Sequence, residues 1–295
     1  MKSVLIVVVV SVFSFTFFAQ STADKQRYDQ AIEFYEKGEY DSAKVLLLAL
    51  NAKIESGQAN FKLRILNNLG NIQADLGKNT SALNYYQKAL TISKNTNSRQ
   101  EEAEILKNIG ALYVSWKNFS KAKWYYEQSL IQAKILNAPK VIADCYNNLG
   151  TVDEQKGDFS SAKKNYFLAL NFYTKVKEKP SIGMSYSNLA IVYKLEGSRD
   201  SSLFYNLQAL KIAQETNDLW MEAAIMNNIG NFYGEVGNFE EAEEYLNKSL
   251  QLSRKIDAIE IEIMSLESLS DAAKNSGNYQ LAYQFLKEMK SKEIE

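Results

Sequence analysis

Side-chain amides are the groups this sequence arranges most conspicuously for chemistry. Asn68, Asn108, Asn148, Asn188 and Asn228 recur at intervals of 40 residues, and Asn67, Asn71, Asn147, Asn227 and Asn231 thicken the row. Lys107 stands in the same row. A primary amide carries both a donor and an acceptor, so it can pair with a peptide group in either direction. In a helix interior asparagine costs several tenths of a kcal/mol against alanine. A cost repeated in register asks for a reason, and two stay open. The amides grip the backbone of an extended ligand, or they bond to adjacent helices and hold repeat against repeat.

Reactive chemistry finds far less material. The chain has no histidine, which removes the usual acid–base residue and the commonest metal ligand. Its one cysteine, Cys145, shares an apolar face with Leu149 and lacks the activating base or cation that a nucleophile needs. One cysteine makes neither an intrachain disulfide nor a Cys-based zinc site. Acid clusters such as Glu240-Glu241-Glu243-Glu244 sit at a helix start, where the macrodipole favours anions, and read as a solvated face. No glycine-rich phosphate loop follows a strand, because no strand pattern exists. Net charge is -1, so no basic field draws nucleic acid. The expectation is therefore no catalytic residue, no metal, no cofactor and no nucleic-acid partner.

The elements that must position the amides are helices. Only 2 prolines and 13 glycines occur in 295 residues, where average usage of ~5% and ~7% would give roughly 15 and 20. Three landmarks keep a period of 40: the tetrads ending at Gly70, Gly110, Gly150, Ala190, Gly230 and Ser270; the breaker slot Gly77, Lys117, Gly157, Gly197, Gly237 and Gly277; and the small residues Ala82, Ala122, Ala162, Ser202, Ala242 and Ala282. Within the sixth unit Ile225, Met226, Ile229, Phe232, Tyr233 and Val236 trace one helix face, and Gly237 stops that helix. Asn238 then caps a second helix that buries Phe239, Ala242, Tyr245, Leu246 and Leu250. A further turn recurs at Asn97, Asn137, Asn217 and Asp257, 40 apart except for a gap at Lys177. Each unit is a helix hairpin with more apolar face than it can bury alone, and stacking resolves that as a solenoid.

The order of these landmarks resembles the tetratricopeptide repeat, whose pattern runs large–Leu–Gly–Tyr, then Gly, Ala, aromatic, Ala. Met226, Ile229, Gly230, Tyr233, Gly237, Ala242, Leu246 and Ser249 occupy those slots, as do Tyr146, Leu149, Gly150, Asp153, Gly157, Ala162, Tyr166 and Ala169. The period exceeds the usual ~34 residues, which extra helical turns at the hairpin junction would explain. The resemblance implies an all-α, right-handed superhelical solenoid of about seven hairpins, spanning 24–57, 58–97, 98–137, 138–177, 178–217, 218–257 and 258–295. It also implies that the first helices line a concave groove where an asparagine row holds an extended peptide. The carboxylate clamp of chaperone-binding members is incomplete: Lys107 and Asn148 suit it, but the next unit offers Met184 and Asn188 with no cation. Groove-side charges lean acidic, with Asp75, Glu104, Asp144, Glu154, Glu235, Glu267 and Asp271 against Arg64, Lys107, Lys194 and Lys274. Aromatic pairs such as Tyr85-Tyr86 and Tyr125-Tyr126 read as packing.

Residues 1–23 have the order of a secretory leader: Lys2, an apolar run over 4–19, then Ser21-Thr22-Ala23 at the exit. The run is shorter than the ~20 residues that span a bilayer, so cleavage near Asp24 is expected over retention as an anchor. The expected protein is exported, periplasmic or extracellular, and meets a membrane only through a partner or an uncleaved leader. Its expected function is non-catalytic binding of a protein or extended peptide. The alternative is the sensory part of a bacterial signalling protein, of histidine-kinase or helix-turn-helix type, whose effector domain is absent here.

Overall fold

The computed structural model describes residues 22–54 and 56–292. The apolar run at 4–19, and with it the expected leader up to residue 21, lies outside the described residues. All regular structure among the described residues is helical, and the helices fall into two compact units, the chain dividing between Ala138 and Pro139.

The first unit holds three hairpins. Residues 22–36 form α1, followed by α2 (Tyr40–Lys53), α3 (Ala59–Asp75), α4 (Asn79–Asn95), α5 (Arg99–Ser115) and α6 (Phe119–Ile135), with a single 3₁₀ turn at Ser56–Gln58. The second unit holds four hairpins: α7 (Pro139–Gln155) with α8 (Phe159–Val176), α9 (Lys179–Leu195) with α10 (Arg199–Thr216), α11 (Leu219–Glu235) with α12 (Phe239–Lys255), and α13 (Ile259–Asn275) with α14 (Tyr279–Lys292). Helices of 17 residues separated by three-residue turns make up the period of 40, as α5 and α6 show. The length beyond the usual repeat therefore lies within the helices, not at the hairpin junctions.

The turns share one chemistry. At the C-termini of the helices from α3 to α13 the amide of the second or third residue past the helix reaches back five residues, as from Asn118 to the Tyr113 carbonyl and from Glu178 to the Tyr173 carbonyl. This is the Schellman closure, and it requires a left-handed residue in between. Gly157 takes it at φ +78°, whereas Lys117, Lys177, Asn97, Asn137, Asn217 and Asp257 take it without being glycine. Asn118, Asp158 and Asp218 then accept from the amide three residues on. Asn238 occupies the cap position of α12, but its side chain makes no capping bond there.

Burial holds one hairpin to the next. Leu63 and Leu66 of α3, Ala82, Tyr86 and Ala89 of α4, and Ile105, Ile109 and Leu112 of α5 form one cluster in the first unit. In the second, Ala162 and Tyr166 of α8 meet Leu189 and Val192 of α9, and Ala242, Leu246 and Leu250 of α12 meet Leu266 and Leu269 of α13. Each fully buried Leu or Ile contributes about 1.5–3 kcal/mol, so a hairpin without its neighbour would forfeit several such terms. Cys145 is fully buried, as its apolar face predicts. The aromatic pairs also pack between helices: Tyr113 stacks on Tyr125 and Tyr193 on Tyr205, each at 5.3 Å between ring centres.

Candidate functional site

A recurring pair of residues sets how closely the two helices of a hairpin approach. The glycine that ends four of the six tetrads faces a residue 16 positions on, in the second helix. A β-carbon added at Gly110 would stand 2.6 Å from the Tyr126 ring, at Gly150 2.6 Å from Tyr166, and at Gly230 2.6 Å from Leu246. The absent side chain is thus what admits the large one. Tyr86 and Tyr166 then extend past the glycine toward the face of the first helices. The Tyr86 hydroxyl donates to Asn71 Oδ1 at 2.8 Å, and that of Tyr166 donates to Glu154 Oε2 at 2.7 Å and Thr151 Oγ1 at 3.2 Å. Burial raises the pKa of both phenols, so they remain protonated donors. Burial also raises that of Glu154, partly offset by the bond from Tyr166.

The amide row is mostly occupied in holding repeats together. In the first unit Asn108 Nδ2 donates to Asn67 Oδ1 at 3.2 Å and to Asn71 Oδ1 at 3.1 Å, and Asn68 Nδ2 donates to the Tyr28 hydroxyl at 2.6 Å. In the second, Asn188 Nδ2 donates to Asn147 Oδ1 at 3.0 Å, Asn227 Nδ2 to Ser268 Oγ at 3.2 Å, and Asn231 Nδ2 to Asn227 Oδ1 at 3.0 Å. Asn147 and Asn227 are buried, which corrects their assignment as ligand-facing groups. The physical reason is that a first helix also touches the first helix of the next repeat, as α11 touches α13. The side opposite the hairpin core is therefore only partly open. Lys107 pairs with Glu104 at 2.7 Å, one turn away on its own helix. Asn148 and Asn228 differ: both are half-buried, and neither makes a hydrogen bond among the described residues.

Each unit has a hollow on this face. The one in the first unit, about 390 Å³, is lined by Tyr35, Asn71, Ala74, Asp75, Tyr86, Asn108, Ala111 and Ser115 among others. Tyr35 donates to Asp75 Oδ2 at 2.7 Å across it. The hollow in the second unit, about 340 Å³, lies among α9, α10 and α11. Its walls are Ala190, Ile191, Leu195 and Phe232, its rim carries Lys194, Arg199, Asn228 and Glu235, and Ser202 and Asn206 complete it. Lys194 meets Glu235 at 2.9 Å and Arg199 reaches the same carboxylate at 4.0 Å. A larger hollow of about 550 Å³ lies among Asp24, Tyr28, Phe61 and Arg64, but none of the row's amides lines it.

Asn206 was not among the residues singled out from the sequence, although the signal was there. It stands in register with Tyr86, Tyr126, Tyr166 and Leu246, opposite Ala190 where its sisters face glycine. It is 5% exposed, and its amide makes no hydrogen bond among the described residues. A buried unsatisfied polar group costs about 1–3 kcal/mol, on top of the several tenths that asparagine costs in a helix.

The tetratricopeptide-repeat family model matches residues 61–134 and 221–288. No curated protein matches the chain. Among solved structures, the apo form of RapI is similar over 92% of this chain and 98% of its own, with a TM-score of 0.71 and 15% identity. A signal transduction ATPase with numerous domains and a tetratricopeptide repeat sensor, from Pyrococcus horikoshii, gives 0.74 at 17% identity. This chain covers 41% of that protein, and 91% of this chain is aligned. A Rap protein complexed with Competence and Sporulation Factor gives 0.69 at 16% identity, over 91% of this chain and 74% of its own. Identities this low establish a shared fold. With the family's repeats matched at 61–134 in one unit and 221–288 in the other, both units carry tetratricopeptide repeats.

Proposed function

We propose that this protein is a non-catalytic scaffold that binds an extended peptide or protein segment along the exposed face of its first helices. The observation that carries the reading is the pair of hollows on that face, each lined by side-chain amides of the repeats. Amides in a hollow suit a ligand whose own backbone presents alternating donors and acceptors. One similar structure is a Rap protein complexed with Competence and Sporulation Factor, and another is a Rap conjugation gene regulator in complex with the Phr* peptide. Asn148 and Asn228 are the amides left for a ligand. Asn67, Asn68, Asn71, Asn108, Asn188 and Asn231 serve the scaffold first and frame the surface. The likeness to a tetratricopeptide repeat sensor favours a second reading, in which ligand capture is the input of a signalling protein. Export by the N-terminal leader, with action in the periplasm or outside the cell, belongs to the same proposal.

A random peptide display library panned against the immobilised chain tests it. Enriched peptides should bind reversibly and lose at least tenfold in affinity to Ala111→Trp, which fills the first hollow, or to Ile191→Trp, which fills the second. Failure to enrich any peptide, or affinities untouched by both substitutions, refutes the scaffold reading.

A further inference from the structure

The repeat of α9 and α10 lacks the ring that the three repeats before it carry, and the space is open. We infer that the hollow over Asn206 is a receptor pocket for a tyrosine side chain of the bound peptide, the ligand's ring standing where the chain's own tyrosine stands in other repeats. The inference rests on the peptide-binding reading and specifies what that surface selects.

Five observations support it. Tyr86, Tyr126 and Tyr166 are each about 2% exposed or less, so the corresponding place in a hairpin is shaped to enclose a phenol. At 206 the residue is asparagine, whose shorter side chain leaves that place unfilled, and the hollow of about 340 Å³ contains both Ala190 and Asn206. The hydroxyls of Tyr86 and Tyr166 end beside Asn71, and beside Thr151 and Glu154, on the first helix. Forty residues on from Thr151 and Glu154 stand Ile191 and Lys194, both exposed, so in this repeat the place opens to the outside between them. Finally, Asn206 Oδ1 is buried with no hydrogen-bond partner among the described residues, and no bond from its Nδ2 is formed there.

The chemistry selects among aromatic side chains. Ile191, Leu195 and Phe232 favour a ring, and a phenol hydroxyl can both donate to Asn206 Oδ1 and accept from its Nδ2. Phenylalanine would leave the amide unpaired, and an indole N–H can only donate. Lysine and arginine are disfavoured, because Lys194 and Arg199 already share one carboxylate, Glu235. At the rim the unbonded amide of Asn228 lies within reach of the ligand's backbone on either side of the ring.

The test uses the full repeat chain with p-cresol and toluene as side-chain probes, followed by ligand-observed NMR titration. Wild type should bind p-cresol saturably and about 2- to 12-fold more tightly than toluene, the span of one hydrogen bond. Ala190→Gly with Asn206→Tyr rebuilds the sister pairing and should abolish binding of both probes. Asn206→Ala keeps the space and should lose only the preference for p-cresol. Absence of saturable p-cresol binding, or an undiminished preference in Asn206→Ala, overturns the pocket whether or not the double variant folds. In the display experiment, enriched peptides should share a tyrosine whose replacement by alanine costs at least tenfold. Peptides that bind without tyrosine and equally to the double variant overturn the pocket and leave the scaffold reading standing. Binding of p-cresol with no peptide enriched overturns the scaffold reading and leaves the phenol pocket.

Discussion

Asn108 and Asn148 occupy the same slot of successive repeats, yet only Asn108 is bonded, and this makes a controlled experiment. Both are half-buried on the first helix of a hairpin. Replacing either by alanine recovers the same helix propensity, about 0.5 kcal/mol. Asn108→Ala also removes the bonds from Nδ2 to Asn67 and Asn71, at 3.2 and 3.1 Å. Asn71 keeps the Tyr86 hydroxyl as a donor, so only the Asn67 oxygen is left to find water. A shared, rather long pair from one N–H₂ group counts as about one neutral hydrogen bond, ~0.5–1.5 kcal/mol. Net, Asn108→Ala should be destabilising by about 0–1 kcal/mol, and Asn148→Ala stabilising by about 0.5 kcal/mol. The propensity term cancels in the difference, which should be about 0.5–1.5 kcal/mol and is the worth of the inter-repeat bond. Urea melts followed by helical circular dichroism measure it, with the slope checked so that a change in cooperativity is not read as a change in stability. Equal effects of the two substitutions would refute the claim that the amide row holds repeat to repeat in one place and stands free in the other.

Two glycines of one type should respond with opposite signs. Gly110→Ala forces a β-carbon against the Tyr126 ring, an overpacking cost of about 1–3 kcal/mol that outweighs the ~1 kcal/mol gained in helix propensity, whereas Gly234→Ala meets nothing nearer than Ala242 Cβ at 3.9 Å and should gain about that propensity; denaturant midpoints check both. Glu154 supplies a pH test. Its pKa is raised in the fold by burial, so its protonated form is favoured there, and the stability it confers is full below the unfolded value and lost as pH rises through the folded one. Glu154→Gln, which still accepts from Tyr166, should therefore be more stable than wild type at neutral pH, with the gap closing as pH falls toward 4, near the ordinary glutamate value of about 4.3; a gap that does not change with pH rejects burial of the charge as the cause.

The hairpins were legible because a period of 40 repeats each local signal five or six times over. Gly157 and Lys117 close the same kind of turn, and the register told as much although lysine alone would never suggest a left-handed turn. What a single helix wheel could not tell was which polar face is open. It places Asn227 opposite Ile229, away from the hairpin core, and the residue is nevertheless 1% exposed because α13 covers it. A repeat helix has three neighbours, its own partner and the helices before and after, so one apolar stripe underestimates what is buried. Asn147 is covered for the same reason, where Asn188 reaches back to it.

In a repeat protein a position that keeps the period records packing, and a position that breaks it is free to record something else. Gly70, Gly110, Gly150 and Gly230 keep theirs, and the ring or leucine against each explains them without any ligand. Ala190 and Asn206 break it together. The methyl group at 190 would crowd a tyrosine at 206, so the two changes are sterically consistent, but sterics alone would be met by any small apolar residue. Alanine or valine at 206 would fit, and would bury no polar atom. Asparagine instead places an unsatisfied amide in a hollow, at a cost of about 1–3 kcal/mol that a folded array has no packing reason to carry. The same reasoning separates Asn228 from Asn108, since one amide has its partners in the preceding repeat and the other has none among the described residues. The buried Asn206 oxygen and the half-buried Asn228 amide line one hollow of one unit. Function in this chain is therefore to be sought where the repeat fails to repeat, between α9 and α11, rather than along the row that repeats best.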